Sequence, residues 1–194
     1  MSRMVFNTRS HHSLRAGERG VAATELALAI PMLTILLLGG IDLARYMIVW
    51  QKIDRAAYTI ADIVAQSEMS PTASELNQIL LAAQKLVEPY VYTPHGRVIV
   101  SSVYRDVGST VPKIRWQYTH KNGGTLSRSS KVGTLNNAAT LPTILTMAEK
   151  ENVIVTEIFY DYTAAYPEDF LKPGEIYNVA YYKPRLGDLT TAPK

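Results

Sequence analysis

Cysteine is absent from all 194 residues, so disulfides, thiolate chemistry and a cysteine-ligated zinc site are excluded, and apolar packing must hold the fold. Histidine is scarce. Two of the four, His11 and His12, sit side by side in a basic tail and read as solvated rather than as metal ligands, which leaves only His95 and His120. No nucleophile elbow, phosphate loop or evident pairing of acids occurs, so nothing recommends a catalyst and nothing calls for a cofactor. Internal repeats and low-complexity tracts are also missing. The basic pI is no sign of nucleic acid. Residues 1–20 carry Arg3, Arg9, Arg15 and Arg19 against Glu18, a net +3, and the other 174 residues balance 16 basic against 16 acidic side chains without a basic stripe.

What the chain does have is one long apolar run. Residues 21–41 would cover roughly 30 Å as a helix, the thickness of a bilayer core. The basic leader before it marks the amino end as cytoplasmic and puts the body outside. A cleaved secretory signal would have a shorter apolar core and then a small-residue site, whereas this run leads into Gly39-Gly40-Ile41-Asp42.

Glu25 interrupts that run. An ionised side chain at the centre of a spanning helix costs about 2.5–3.5 kcal/mol, so one found there is a functional candidate by default. If the chain is cut after Gly20, the new ammonium is on Val21 and Glu25 becomes the fifth residue. The two are then i and i+4 neighbours on one helix face, or partners between subunits. The plain alternative is a charge that snorkels to the headgroups. Gly20 alone would be a flexible joint between leader and helix, and Pro31 an ordinary kink of a membrane helix, with Gly39-Gly40 a second soft point.

Helical spacing of Ile41, Ile48, Val49, Ile53, Ala57, Ile60, Ala61 and Val64 carries the helix on to about residue 67 as a stem. Asp42 and Arg45, three apart, can pair at the outer membrane edge, where Trp50 also falls. A second helix follows Pro71, with Leu76, Ile79, Leu80, Ala83, Leu86 and Val87 in one stripe packed under a sheet until Pro89.

The remainder reads as strands. Residues 97–104 alternate loosely. Ile114, Trp116 and Tyr118 face one way and Lys113, Arg115, Gln117 and Thr119 the other. Asn122-Gly123 signals a tight turn with a weak strand over 126–132 after it. Pro142 suits the first turn of a short helix to about residue 150. Residues 153–162 and 175–183 are the strongest strands, joined by a loop holding Pro167, Pro173 and Gly174. Ten tyrosines from Tyr90 onward are expected to pack sheet faces. Asp161, Glu168, Asp169 and Glu175 lack the spacing of a calcium loop and read as a solvated acidic loop.

The fold class is therefore α+β: a long N-terminal transmembrane and stem helix, then a small antiparallel sheet domain with one or two packed helices. The expected organisation is a basic cytoplasmic leader over 1–20, a transmembrane and stem helix over 21–67, and an exported domain over 71–194.

Gly20, Glu25 and Pro31, with the closing Leu36-Leu37-Leu38-Gly39-Gly40-Ile41-Asp42-Leu43-Ala44-Arg45, resemble the TadE/TadG-like family of tight-adherence pilus proteins, over residues 17 to about 66. Tyr160-Asp161-Tyr162 and Lys183-Pro184-Arg185 are short further similarities. Leu26 stands where family members often have an aromatic residue. The resemblance implies a TadE-like pseudopilin or minor pilin of a type IVb-like pilus, with no enzymatic activity. A prepilin peptidase would cut between Gly20 and Val21, with Glu25 guiding processing or assembly. Its partners would be that peptidase, other pilin and pseudopilin subunits, inner-membrane assembly proteins and the membrane. The body would be periplasmic, and extracellular once assembled. Two alternatives stand beside this: an uncut, single-span periplasmic scaffold of the pilus machinery, and a membrane-tethered hydrolase, which would need a convergent polar pocket.

Overall fold

The computed structural model describes residues 14–164 and 174–194, with side chains from residue 20 onward. His11, His12, Pro167, Glu168, Asp169 and Pro173 lie outside the described residues. The elements are α1 (Leu14–Ala65), α2 (Ala73–Val87), β1 (Gly96–Tyr104), β2 (Lys113–Tyr118), a 3-10 turn (Lys121–Gly123), β3 (Asn152–Asp161) and β4 (Glu175–Tyr182). Contacts divide the chain into two compact units, Met1–Ala44 and Arg45–Lys194.

In the first unit the helix begins at Leu14, before the expected leader ends, because Leu, Arg, Ala and Glu favour helix. Gly20 is thus inside the helix and not a joint at its start. The backbone stays helical through Pro31 and Gly39-Gly40. Large apolar side chains point outward all round, among them Val21, Leu26, Leu28, Ile30, Leu33 and Leu36. A helix with no polar face is built for an apolar surrounding.

The second unit is organised by a two-sided sheet. Residues of α1 from Val49 onward turn apolar positions inward at helical spacing: Val49, Ile53, Ala57, Ile60, Ala61 and Val64 are all fully buried. Ile48, expected on that stripe, is exposed. Leu76, Leu80, Ala83 and Val87 of α2 join the same core, against Val98, Val100, Trp116, Ile154, Ile158 and Ile176 of the sheet. Helix α2 starts with a capping box in which the Thr72 hydroxyl accepts the Glu75 N–H and the Glu75 carboxylate accepts the Thr72 N–H. The buried Asn178 of β4 pins the sheet to α1. In the orientation that satisfies both ends of its amide, it donates to the Tyr177 carbonyl at 2.8 Å and accepts the Asp54 N–H at 3.0 Å.

The sheet order is β2-β1-β3-β4, antiparallel throughout. Ser102 pairs with Trp116 but Val103 with Ile114, so Arg115 is an extra residue on β2. This bulge corrects the expectation that Ile114, Trp116 and Tyr118 share a face. One inserted residue shifts the parity of all that precedes it. Trp116 stays on the helix side, with Tyr118 packed against it. Ile114 joins Val103, Val132, Met147, Val153 and Val155 in a second cluster on the opposite face.

Two expected elements do not form. Residues 126–132 make no strand; polar side chains at Arg128, Ser130 and Lys131 tie the segment to carboxylates instead of laying its backbone on a ladder. No helix follows Pro142 either. The Leu145 N–H bonds the Pro142 carbonyl in one turn, then Leu145 and Met147 settle on the second face, and the Arg105 guanidinium reaches the Met147 carbonyl at 2.5 Å.

The chain beyond β4 closes the helix side. The Arg185 N–H bonds the Ala65 carbonyl at 3.0 Å, and the Ala73 N–H bonds the Lys194 carbonyl at 2.8 Å. Leu189 is fully buried, and its carbonyl is approached by Trp116 Nε1 and Ser102 Oγ, each at 2.8 Å. Tyrosines fill the gaps as expected: Tyr92, Tyr160 and Tyr162 are buried, with Tyr92 stacked on Tyr160 and Tyr162 edge-on to Tyr46.

Candidate functional site at the start of the apolar helix

Gly20, Val21 and Glu25 occupy consecutive turns of α1, and all three are exposed. A methyl group placed on Gly20 would meet nothing within 4 Å. Packing therefore makes no demand for glycine there. What glycine does supply is a weak point, since it costs about 1 kcal/mol relative to alanine within a helix.

The other polar side chains of the run satisfy themselves. Thr24 Oγ1 donates to the Val21 carbonyl at 2.8 Å, and Thr34 Oγ1 to the Ile30 carbonyl at 2.8 Å. This back-bonding hides a hydroxyl in an apolar setting. Glu25 has no hydrogen bond or ion pair among the described residues. Its carboxylate is the polar group in residues 20–41 whose bonding needs the helix does not meet. Pro31 lies a turn and a half further on and takes no part in this cluster.

Elsewhere the residues that catalysis would recruit have structural duties. His120 Nδ1 accepts the Asn122 N–H at 3.2 Å and caps the 3-10 turn, and His95 lies edge-on to Tyr160. A cleft of ≈ 530 Å³ runs along residues 67–79. Of its two acids, Glu68 and Glu75, the second is engaged in the helix cap, and the bonds from Thr72 hold that carboxyl below its usual range. Asp161 and Glu175, read as solvated, are instead ion-paired: Arg128 Nη2 lies 3.0 Å from Asp161, and Lys131 Nζ 3.1 Å from Glu175. Among the described residues no three metal-binding side chains converge.

Sequence reasoning missed one feature. Glu157 is fully buried in β3 and accepts from Ser130, Lys131 and Tyr177. Its position within an apolar strand could have flagged it.

Among the described residues, one helix, Gly20–Ala65, is long and apolar enough to cross a membrane. Such a helix on an antiparallel α+β body defines a class, the single-pass anchored protein with a small sheet domain. Residues 20–62 match the family model described as TadE-like protein, so the resemblance carried by Gly20, Glu25 and Pro31 is shared by an independent match over nearly the same residues. The match associates the chain with the tight-adherence pilus, through a family of structural and assembly components rather than enzymes. No curated protein and no solved structure matches.

Proposed function

We propose that this chain is a membrane-anchored pseudopilin or minor pilin of a tight-adherence, type IVb-like pilus, cut between Gly20 and Val21 by a prepilin peptidase. The observation that carries the reading is Glu25, a carboxylate without a partner among the described residues on a helix stretch apolar all round, inside the TadE-like match. Before cutting, Glu25 costs a few kcal/mol in lipid. Cutting creates an ammonium four residues away, and pairing it with Glu25, on the same helix or a neighbour's, offsets that cost. Small residues Ala22, Ala23, Ala27 and Ala29 allow helices to approach closely once they leave lipid for a bundle. The scissile bond lies in helix, and Gly20 makes local unwinding easiest where the peptidase must act.

In this reading the amino end faces the cytoplasm, the helix spans the inner membrane and the sheet domain lies in the periplasm until assembly. Intact mass of the protein from cells with and without the peptidase tests it. The expected product begins at Val21 only where the peptidase is present. Identical masses starting at Met1 or Ser2 would end the proposal and leave an uncut scaffold in its place. Gly20→Ala separates recognition from folding, because the site has room for a methyl group and alanine strengthens the helix.

A further inference from the structure

Glu157 is completely buried, and three donors converge on its two carboxylate oxygens. Oε1 accepts the Lys131 backbone N–H at 2.8 Å and the Tyr177 hydroxyl at 2.9 Å, and Oε2 accepts the Ser130 hydroxyl. Two of these donors cannot turn round. A backbone N–H has no lone pair. Ser130 Oγ already accepts the Val132 and Gly133 N–H groups at 3.2 and 3.3 Å, so its one proton is left for Glu157. Both carboxylate oxygens are thereby fixed as acceptors.

The groups around Glu157 do not replace this latch. Lys131 Nζ is turned to Glu175 and lies 4.0 Å from the centre of the Tyr177 ring. Tyr181 faces the carboxylate from β4 and, like Tyr177, has its phenol pushed up by burial and then by the Glu157 charge. Arg97 of β1 spends Nη1 on the Gly124 carbonyl.

The segment that Glu157 holds has little else. Among the described residues, no backbone-to-backbone hydrogen bond joins 127–131 to a strand. Its ends are tied by Leu126 N–H to the Gly96 carbonyl and by the buried Val132. Between them, Arg128 bonds Asp161 and Glu175 at the rim.

We propose that residues 127–131 form an acid-released strap, latched from inside by Glu157 and at the rim by Arg128 and Lys131 on Glu175, which lifts as Glu175 takes up a proton while the sheet beneath stays folded. The inference is independent of the pilus reading. Lifting uncovers Tyr177 and Phe159, against which Lys131 now lies. Bonds from Arg128 foremost, and also from Lys131, hold the Glu175 carboxyl below its ordinary value of 4.5, with burial opposing them. Its share of the latch is therefore complete above that value and lost as pH falls through the lower folded one. The β3 ladders to β1 and β4 are backbone bonds and do not titrate.

Hydrogen exchange on the full chain in detergent micelles, corrected for intrinsic rates, tests this from about pH 7 to about pH 3. The Lys131 amide is the reporter. Its protection is expected to fall as pH drops below about 4.5, by up to about 10-fold per pH unit for the one proton that Glu175 takes up, while β1 and β3 keep theirs. Glu175→Gln should make that dependence shallower, and Glu157→Gln, which sets an amide donor against fixed donors, should release the strap at neutral pH. Loss of strap and sheet protection at the same pH, or a strap that stays protected throughout, overturns the proposal. If Glu157→Gln fails to fold, Glu175→Gln decides, and an unchanged slope in that variant also overturns it.

Discussion

Deleting everything before residue 71 should leave a body unable to fold, whereas beginning at Arg45 should leave one that folds. Residues 71–194 contain the whole sheet and α2, but not the α1 residues that complete their core. Val49, Ile53, Ile60 and Val64 are each fully buried, together with Ala56, Ala57, Ala61 and Ala65. At about 1.5–3 kcal/mol for each Val or Ile, the four alone contribute about 6–12 kcal/mol, an upper figure because a real unfolded chain is partly compact. An ordinary domain has a net stability of about 5–15 kcal/mol, so the deletion removes an amount comparable with the total. It also strips cover from Leu76, Leu80, Ile154, Ile158 and Ile176 and takes away the Asp54 N–H that Asn178 meets. Circular dichroism with urea titration on the two fragments is the assay. Residues 45–194 should show one cooperative transition; residues 71–194 should aggregate or lose signal gradually. A cooperative transition in the shorter fragment within about 2 kcal/mol of the longer would refute the claim that α1 completes this core.

Other consequences are more local. Gly124 has φ +99°, and a methyl group there would lie 2.0 Å from the Gly96 carbonyl oxygen, so Gly124→Ala should cost at least the ~1–3 kcal/mol of a strained residue in urea unfolding. Leu189→Ala should destabilise the body by about 2–5 kcal/mol and shift Trp116 fluorescence to the red, as the strand of chain that accepts the indole N–H loosens. At alkaline pH, burial holds the Tyr92, Tyr160, Tyr177 and Tyr181 phenols above their ordinary value of 10.0. Their neutral forms therefore stabilise the fold fully below that value, and the contribution is lost as pH rises through the higher folded ones. Phenolate absorbance should show them ionising together with unfolding; reversible titration of every tyrosine near its ordinary value would contradict their burial.

Much of this molecule could be read from pattern alone, and the misses have identifiable causes. The stem of the long helix, α2 and β4 were legible because each repeats one period, the earlier part of the helix because its apolar run is long and nearly unbroken, and β3 because Val, Ile and aromatic residues fill it. The Arg115 bulge was not, since Ile114, Trp116 and Tyr118 keep a period of two straight through it, and only the partner strand reveals the extra residue. The 126–132 segment misled because its order comes from side chains meeting Glu157, Asp161 and Glu175, far away in sequence. Pro142 suits a turn as well as a helix start, and the deciding force was burial of Leu145 and Met147. Thr72 with Glu75 was a readable capping box that spacing alone would have located. At the candidate site, Glu25 stood out as a charge among apolar residues, but the self-satisfied hydroxyls of Thr24 and Thr34, which leave it as the unmet group, needed coordinates.

The matched segment, residues 20–62, makes two different demands on one helix. From Val49 onward its apolar side chains face a defined set of partners in the core, and the spacing of buried positions fixes which way the helix must turn. Before Ala44 the apolar side chains point in every direction, so no face is singled out. Such a surface must be covered, but hydrocarbon chains and neighbouring helices cover it almost equally well, because lipid is as apolar as leucine. Apolar burial therefore cannot by itself decide whether this stretch rests in a bilayer or in a bundle of its own kind. A group that distinguishes the two must be polar and must lack a partner within its own helix. On the reading proposed above, that group is Glu25, and the choice is made by whichever environment brings it a cation.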